Sequence, residues 1–249
     1  MQIFASERER ILGVYLLNLI LLVVLPLTGL VAMNGWGLGV AALLYFAMNC
    51  CGITVTFHRF LSHHSFKFRS KLAEYLFTLF GVLSVSGSTV GWVGVHREHH
   101  RYTDTDGDPH AGSLSFLDQQ FLQYNKTKFV RRKDAWIVRD LLARPFHRFL
   151  HDYYFLVIAG YAALLYGGFG LPGVYFGFIL PSVATLFAEN TTNWATHRKG
   201  IHNIWWVSAI LSEGWHDNHH RNPGAYTTKE KWWQFDPAGI VIGAVKAPH

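Results

Sequence analysis

Charged side chains are scarce in this sequence of 249 residues. Aspartate, glutamate, lysine and arginine together make up 15% of the chain, whereas apolar residues make up 50%. Typical soluble domains carry roughly 25% charged residues. This shortage argues against an ordinary soluble domain, so membrane proteins are the first class to consider.

Cysteine is scarce as well. The two cysteines, Cys50 and Cys51, are adjacent and lie inside an apolar run. Two neighbouring cysteines cannot form a disulfide framework or supply the four thiolates of an iron–sulfur cluster. We interpret them as small core residues.

Apolar runs of membrane-spanning length are present instead. Ile11–Met33 has no charged residue over 23 positions, which is enough to cross a hydrocarbon core of about 30 Å. A signal peptide is the alternative, because Arg8 and Arg10 precede the run, but the run is too long and lacks a small-x-small cleavage site. We predict two helical hairpins, with spans over residues 11–33, 36–57, 153–168 and 172–190.

The basic residues indicate an orientation. All 22 lysines and arginines lie outside the two predicted hairpin turns, and the positive-inside rule therefore places both termini and the long middle segment in the cytoplasm. We predict an all-α integral membrane protein, in the inner membrane if the source is bacterial. Residues 1–249 form one domain, with a cytoplasmic helical cap built from residues 58–152 and 191–249.

Leu72–Val95 is apolar enough to suggest a fifth span, but it carries Glu74 and several serine and glycine residues. If it crossed the membrane, the histidines before and after it would lie on opposite sides and could not share a site. We therefore expect a single cytoplasmic or interfacial helix packed under the membrane helices.

Histidine is abundant, with 15 residues, and many of them are clustered. An H-x-x-H-H pattern places its residues at i, i+3 and i+4 on one helical face, so each such cluster is expected to aim three imidazoles at one point. The clusters are His58 and His63, then His96, His99 and His100, then His216, His219 and His220.

His58 and His63 are five positions apart, which corresponds to about 140° around an α-helix. We expect them where a helix leaves the membrane, with their rings turned inward. Together the clusters supply eight imidazoles, and one zinc ion needs four ligands. The count predicts two metal ions, bound by neutral imidazoles.

These clusters resemble the histidine boxes of the membrane fatty acid desaturases, in particular the acyl-CoA Δ9 (stearoyl-CoA-type) branch and its bacterial relatives. The resemblance covers about residues 10–240 and implies four transmembrane helices under a cytoplasmic cap that holds a histidine-rich di-iron site. The matching segments are GITVTFHRFLSHHSF, HREHHRYTDTDGDPH, NWATH and EGWHDNHHRNP.

The resemblance also implies further site residues. His197 is the ninth histidine ligand by this resemblance, and Asn193 holds a metal-bound water; a helix-end hydrogen bond is the other interpretation of Asn193. The implied cofactor is a pair of iron ions, and zinc could replace it as an artefact of overexpression.

Acidic residues near the boxes could orient the histidines by accepting their second N–H. The alternative is a solvated turn, because D-G-D-P is turn chemistry in any protein. The candidates are Glu98, Asp104, Asp106, Asp108, Glu213 and Asp217, and Glu189 is a further acid close in sequence. His110 could orient its loop, and we expect surface or interface positions for His64, His147, His151, His202 and His249.

The resemblance implies an O₂-dependent desaturase that introduces a cis double bond, at C9, into a long-chain saturated fatty acyl thioester. Acyl-CoA is the expected substrate. An acyl-lipid desaturase and a fatty acyl or alkyl hydroxylase are the alternatives, since the same di-iron centre serves all three. The chain has His64 where many relatives have arginine and Val95 where animal enzymes have an acid, and both positions lie near the carrier site.

The expected partners are O₂, the lipid bilayer and a separate electron donor such as ferredoxin, rubredoxin or cytochrome b5 with its reductase, because no HPGG haem-binding segment occurs. The basic run Lys126–Lys133 could meet lipid headgroups, a phosphate-bearing carrier or an acidic donor, or be simply solvated. We expect no nucleic acid. A membrane metal transporter is the alternative from another class, but it predicts ligands inside the spans rather than at their cytoplasmic ends.

Overall fold

A computed structural model of the protein describes residues 3–105, 107–109, 115–122 and 132–248. Within these ranges the chain is helical, with two isolated β-bridges and no strand, which confirms the predicted all-α class for this part. The α-helices are α1 (Ile3–Leu27), α2 (Gly35–Phe46), α3 (Lys71–Leu83), α4 (Thr89–Tyr102), α5 (Arg139–Leu142), α6 (Pro145–Asp152), α7 (Tyr154–Val174), α8 (Leu180–Thr196), α9 (Trp205–Leu211), α10 (His216–Arg221) and α11 (Pro237–Val245).

Three helical stretches in the described part are long and apolar enough to cross a membrane: Glu9–Leu27, Gly35–Ser62 and Tyr154–Thr196. The first ends at Leu27, although the apolar run predicted an end at Met33. Gly29 has a φ of 74°, a left-handed conformation that glycine adopts without steric cost and that stops the helix. Apolar composition alone therefore overestimated this helix.

The third stretch folds back on itself. Gly170 lies inside it with φ 63° and ψ −157°, a conformation open essentially to glycine alone. Beyond this break the Tyr161 hydroxyl donates a hydrogen bond to the carbonyl of Gly177 at 3.0 Å, and the Tyr161 and Phe178 rings lie 6.1 Å apart. The two arms therefore pack against each other.

The second stretch changes its hydrogen bonding midway. Asn34 caps the start of α2 by accepting a hydrogen bond from the backbone N–H of Gly37 at 2.8 Å. After Phe46 the helix continues as a π-helical segment, Ala47–Ser62, in which nearly every residue is buried. In a π-helix the N–H bonds to the carbonyl five residues earlier. This segment holds His58 and leads directly into His63.

Leu72–Val95 forms two helices rather than the single helix expected from its sequence. α3 and α4 are separated by the loop 84–88, in which Val85 and Gly87 have positive φ values of 66° and 132°. α3 packs along the π-helical segment so closely that a Cβ on Gly52 would lie 2.3 Å from the backbone nitrogen of Gly81. The break allows α4 to turn its histidines towards those of the π-helical segment.

The long helices expose apolar side chains. Leu17 and Ile20 on α1, Leu43 on α2, and Leu156 and Leu164 on α7 are each more than half exposed. Apolar residues that face outward along helices of this length are typical of membrane spans. The buried core lies between these helices and the shorter helices that pack against them.

Candidate metal centre

The structure brings all nine predicted histidines together in two neighbouring groups. Within each group the candidate ligand atoms lie within 4.8 Å of one another. The five-histidine group contains His58, His63, His96, His100 and His219, and the four-histidine group contains His99, His197, His216 and His220.

Each H-x-x-H-H cluster contributes to both groups, contrary to the expectation that its three imidazoles meet at one point. His96 and His100 of α4 join the first group, whereas His99 joins the second. Residues at i and i+4 lie almost above one another on a helix, while the residue at i+3 is rotated to the other side of that line. One helix can therefore serve two metal positions.

The π-helical segment explains how His58 and His63 reach the same group. The backbone N–H of His63 donates a hydrogen bond to the carbonyl of His58 at 3.2 Å, so positions i and i+5 are stacked as i and i+4 are in an α-helix. Their ring centroids lie 5.0 Å apart. The expected separation of about 140° between the two side chains applies to an α-helix. In the wider π-helix the two side chains lie on the same face.

The Nε2 atoms converge within each group. Nε2 of His58 lies 2.9 Å from Nε2 of His219, and Nε2 of His63 lies 3.0 Å from Nε2 of His96. In the other group, Nε2 of His197 lies 2.9 Å from Nε2 of His216. Zinc–imidazole bonds are about 2.1 Å long, so ligands at right angles around one ion lie about 3 Å apart. The spacing fits imidazoles arranged around a metal.

Burial keeps these imidazoles neutral. It lowers the pKa of His63 and of His220 to about 3, and it lowers the pKa values of His96, His216 and His219 well below the usual range, with neighbouring imidazoles adding to the effect. A metal binds the neutral ring. Protons therefore do not compete for these rings near neutral pH.

Three of the predicted acidic residues contact histidines through Nδ1. Both carboxylate oxygens of Asp108 lie within hydrogen-bonding distance of Nδ1 of His99, at 2.9 and 3.0 Å. Asp104 lies 3.3 Å from Nδ1 of His197. A carboxylate that accepts the Nδ1 proton directs the Nε2 lone pair into the group.

Glu213 makes the third such contact, at 3.2 Å from Nδ1 of His58. The remaining predicted acids are placed differently. Asp217 forms an ion pair with Arg221, at 3.4 Å and largely exposed, and Glu98 is half-buried on α4 between two of its histidines. Asp106 lies outside the described residues, as do His110, His249 and most of the basic run.

The sequence interpretation missed Arg59, which is completely buried beside His58. Its Nε donates to Oε1 of Glu213 at 2.9 Å, and its two terminal nitrogens donate to the carboxylate oxygens of Asp236 at 2.9 and 3.0 Å. A charged residue in an apolar run was the available signal. Arg59 fixes the carboxylate that in turn orients His58.

A cavity borders both histidine groups. Asn193 lies in its wall with His58, His96 and His216. Trp92 is another wall residue that the sequence interpretation missed; it stacks on His96 with ring centroids 5.0 Å apart and an interplanar angle of 17°.

Two histidines outside the groups were expected at a surface or interface, and they differ in burial. His147 was expected at a surface or interface, but it is completely buried, and neither ring nitrogen has a hydrogen-bond partner among the described residues. Burial lowers its pKa to about 4. His202 is exposed, as expected.

The sequence is similar to known proteins over most of its length. The profile of the family described as "Fatty acid desaturase" matches residues 34–234. A palmitoyl-monogalactosyldiacylglycerol delta-7 desaturase of Arabidopsis thaliana is 34% identical over 226 residues, which covers 86% of this chain and 61% of the plant protein.

Two further relatives differ in the acyl carrier that their names state. An sn-2 palmitoyl-lipid 9-desaturase of Nostoc sp. (strain 36) is 34% identical over 216 residues, covering 80% of this chain and 74% of that protein. An acyl-CoA 5-desaturase of Anemone leveillei is 34% identical over 215 residues, covering 80% of this chain and 65% of that protein.

Proposed function

This chain belongs to the fatty acid desaturase family, and on that basis we propose that it is an O₂-dependent enzyme that introduces a cis double bond, at C9, into a long saturated acyl chain. The observation that carries the proposal is the pair of adjacent groups of convergent, buried imidazoles. Removing hydrogen from an unactivated methylene requires an oxidant that side chains do not provide. A site rich in metal ligands meets that requirement.

The proposed cofactor is two iron ions, one in each histidine group. Each histidine group would hold one ion, and Asn193 would hold a metal-bound water. When bound, reduced iron supplies the electrons that activate O₂ for removal of hydrogen from the chain. Zinc in an overexpressed sample would not contradict this assignment, because imidazole binds both metals.

The protein's own residues orient the ligands and shape the site. Asp108, Asp104 and Glu213 accept Nδ1 protons, so the lone pairs of His99, His197 and His58 face the metal positions. The cavity beside these histidines is the proposed position of the reacting methylenes.

The proposed topology has four membrane crossings, because Gly170 divides the third apolar stretch into two arms. The metal centre and both termini lie on the cytoplasmic side under the positive-inside rule. Residues 1–249 act as one domain, since the nine histidines come from four separated parts of the chain: the end of the π-helical segment, α4, the end of α8 and α10.

The proposed substrate is an acyl-CoA thioester. Lipid-bound acyl chains are the alternative, and the names of the relatives include both carriers. Purified protein supplied with each carrier in turn decides between them. Electrons come from a separate one-electron donor such as ferredoxin, rubredoxin or cytochrome b5 with its reductase, and each donor can be supplied in the same assay.

The decisive experiment is the fatty acid profile of a host that expresses the chain. New cis-monoenes at C9 support the proposal, whereas new hydroxy acids support the alternative hydroxylase. An unchanged profile in a host that makes the intact protein, with iron bound and a donor present, contradicts both.

We predict that replacing a ligand abolishes the product. His99→Ala and His219→Ala each remove one imidazole from a different group, so neither variant should form monoenes. His202→Ala is the matched control, because His202 is exposed and its ring contacts the carbonyl of Arg198. Gas chromatography of total fatty acids measures all three, and wild-type yield in His99→Ala or His219→Ala would remove that residue from the ligand set.

A further inference from the structure

Glu189 is an acidic side chain that has no role in the metal centre described above. It lies on α8, one helical turn before Asn193, and borders the cavity next to the histidines. Its Oε2 atom is shielded from solvent and has no hydrogen-bond partner among the described residues. Leaving a buried polar atom unpaired lowers the stability of the folded state. Retaining such an atom beside a reaction site indicates that it has a use.

The other carboxylate oxygen has a structural role. Nε1 of Trp92 donates to Oε1 of Glu189 at 2.5 Å, and this bond fixes the indole that stacks on His96. One acceptor oxygen is enough for that purpose, and an amide would supply it equally well. Anchoring of Trp92 therefore explains Oε1 and leaves Oε2 unexplained.

The surroundings of Glu189 connect the cavity with the loop 84–88. The hydroxyl of Ser86 interacts with the carboxyl group without reaching hydrogen-bonding distance of Oε2, and Ser86 is half-buried. Oγ of Ser84 lies 3.0 Å from Oγ of Ser86. On the other side, the cavity has a volume of about 50 Å³, which leaves room for water. The carboxyl group thus lies between a chain of hydroxyls and the space beside the imidazoles.

We propose that Glu189 passes protons from the loop 84–88 into this cavity during turnover. The proposal rests on the desaturase function above. In that reaction a –CH₂–CH₂– unit, O₂, two electrons and two protons give –CH=CH– and two waters. The acyl chain is oxidised by loss of two hydrogens, O₂ is reduced, and the donor protein supplies the two electrons.

The two protons have to reach oxygen beside His58, His96 and His216, which are buried. Glu189 provides each one by breaking the O–H bond at Oε2, and the proton goes to an oxygen that leaves as water. The carboxylate then takes a proton from the hydroxyl of Ser86 when that hydroxyl comes within hydrogen-bonding distance of Oε2, and Ser86 regains a proton at its half-exposed side. Oε1 keeps its bond to Trp92 throughout, so the cavity wall stays in place.

Glu189→Gln separates the two roles, because glutamine keeps an oxygen that accepts from Trp92 but cannot deliver a proton. We expect its kcat to fall by roughly 100-fold, the lower range for loss of a general acid, with KM for the acyl substrate and iron content unchanged. More O₂ and more donor electrons should be consumed per double bond. Glu189→Asp keeps a carboxyl group and should recover part of the lost kcat.

A second measurement does not depend on turnover. In the metal-free protein, wild type and Glu189→Gln should bind the saturated acyl-CoA with the same Kd and unfold at the same temperature. If Glu189→Gln bound the acyl-CoA more weakly, or unfolded at a lower temperature, by enough to explain its lower kcat, Glu189 would have a structural role and the proposal would be overturned. An unchanged kcat in Glu189→Gln would also overturn the proposal. If the wild-type protein formed no double bond at all, the proposed desaturase function itself would be wrong.

Discussion

At the scale of single residues, Arg59 is a buried cation that connects the surroundings of His58 to a distant part of the chain. Its guanidinium joins Glu213, which contacts His58, to Asp236, which caps the start of α11 through the N–H of Gly239. Three separate parts of the chain therefore meet at one side chain. The position of His58, a proposed metal ligand, therefore depends on a residue outside the two histidine groups.

We predict that Arg59→Met destabilises the protein by about 3–5 kcal/mol, because removal of one partner leaves buried carboxylates without a counter-charge. Denaturant unfolding in detergent micelles measures the change. Arg221→Met is the matched control: Arg221 is paired with Asp217 and Glu230 at an exposed position, where such pairs contribute about 1 kcal/mol or less. Equal losses in both variants would contradict the assigned role of Arg59.

The sequence predicted acidic residues of the site that lie near a histidine cluster in the chain, although Asp104 and Glu213 contact histidines of distant segments. Asp108 contacts His99, nine positions away, and short spacing made that contact a reasonable expectation. Arg59 and Asp236 are 177 positions apart, and no local pattern links them. The free oxygen of Glu189 was equally beyond prediction, because it depends on where Trp92 lies.

At the scale of helices, the contact between α3 and the π-helical segment depends on two glycines. A Cβ on Gly52 would lie 2.3 Å from the backbone nitrogen of Gly81, and a Cβ on Gly81 would lie 2.5 Å from the ring of Phe57. Backbone atoms cannot move aside as a flexible side chain can. This contact fixes the distance between the first histidine cluster and α3.

We predict that Gly52→Ala destabilises the protein by about 1–3 kcal/mol, the usual cost of overpacking a core. Gly39→Ala is the control, because Gly39 lies earlier in the same helical stretch and a Cβ added there would have no neighbouring atom within 4 Å. Thermal unfolding of the two variants gives the comparison. A melting temperature of Gly52→Ala equal to that of Gly39→Ala would show that α3 can move away without loss.

Helix geometry limited prediction at this scale. The H-x-x-H-H spacing predicted a shared face, but whether three imidazoles serve one metal or two depends on what the opposite helices present. No helix of Leu72–Val95 reaches the length of a membrane span in the described structure. The division of this segment at residues 84–88 depends on tertiary contacts such as that between the N–H of Gly87 and the Tyr154 hydroxyl.

At the scale of the whole molecule, the two histidine groups join distant segments, so metal binding and stability should be linked. We predict that the metal-free protein has a lower melting temperature and that Fe²⁺ restores it, with a gain of about 2.7 kcal/mol at a free metal concentration 100 times Kd. Melting curves with and without Fe²⁺ measure this gain. Fe²⁺ should stabilise His219→Ala less than the wild type. Identical melting curves for the wild type with and without Fe²⁺ would contradict the proposed metal site.

The class of protein and the order of its apolar segments were readable from the whole sequence, since low charge and long apolar runs determine them directly. The end of α1 at Leu27 and the π-helical hydrogen bonding after Phe46 were not. Both depend on local backbone conformations that many sequences can adopt. The burial of His147 likewise follows from the packing of α6 against α4, where the Thr89 hydroxyl donates a hydrogen bond to the carbonyl of His147.

The close contact between Gly52 and Gly81 also bears on how the protein is synthesised. The ribosome makes the π-helical segment before α3, so the surface that receives Gly81 leaves the ribosome before Gly81 does. The face of the segment around Gly52 therefore stays without its partner until α3 has been made. A Cβ at position 52 would hinder this docking step as well as the contact in the folded protein.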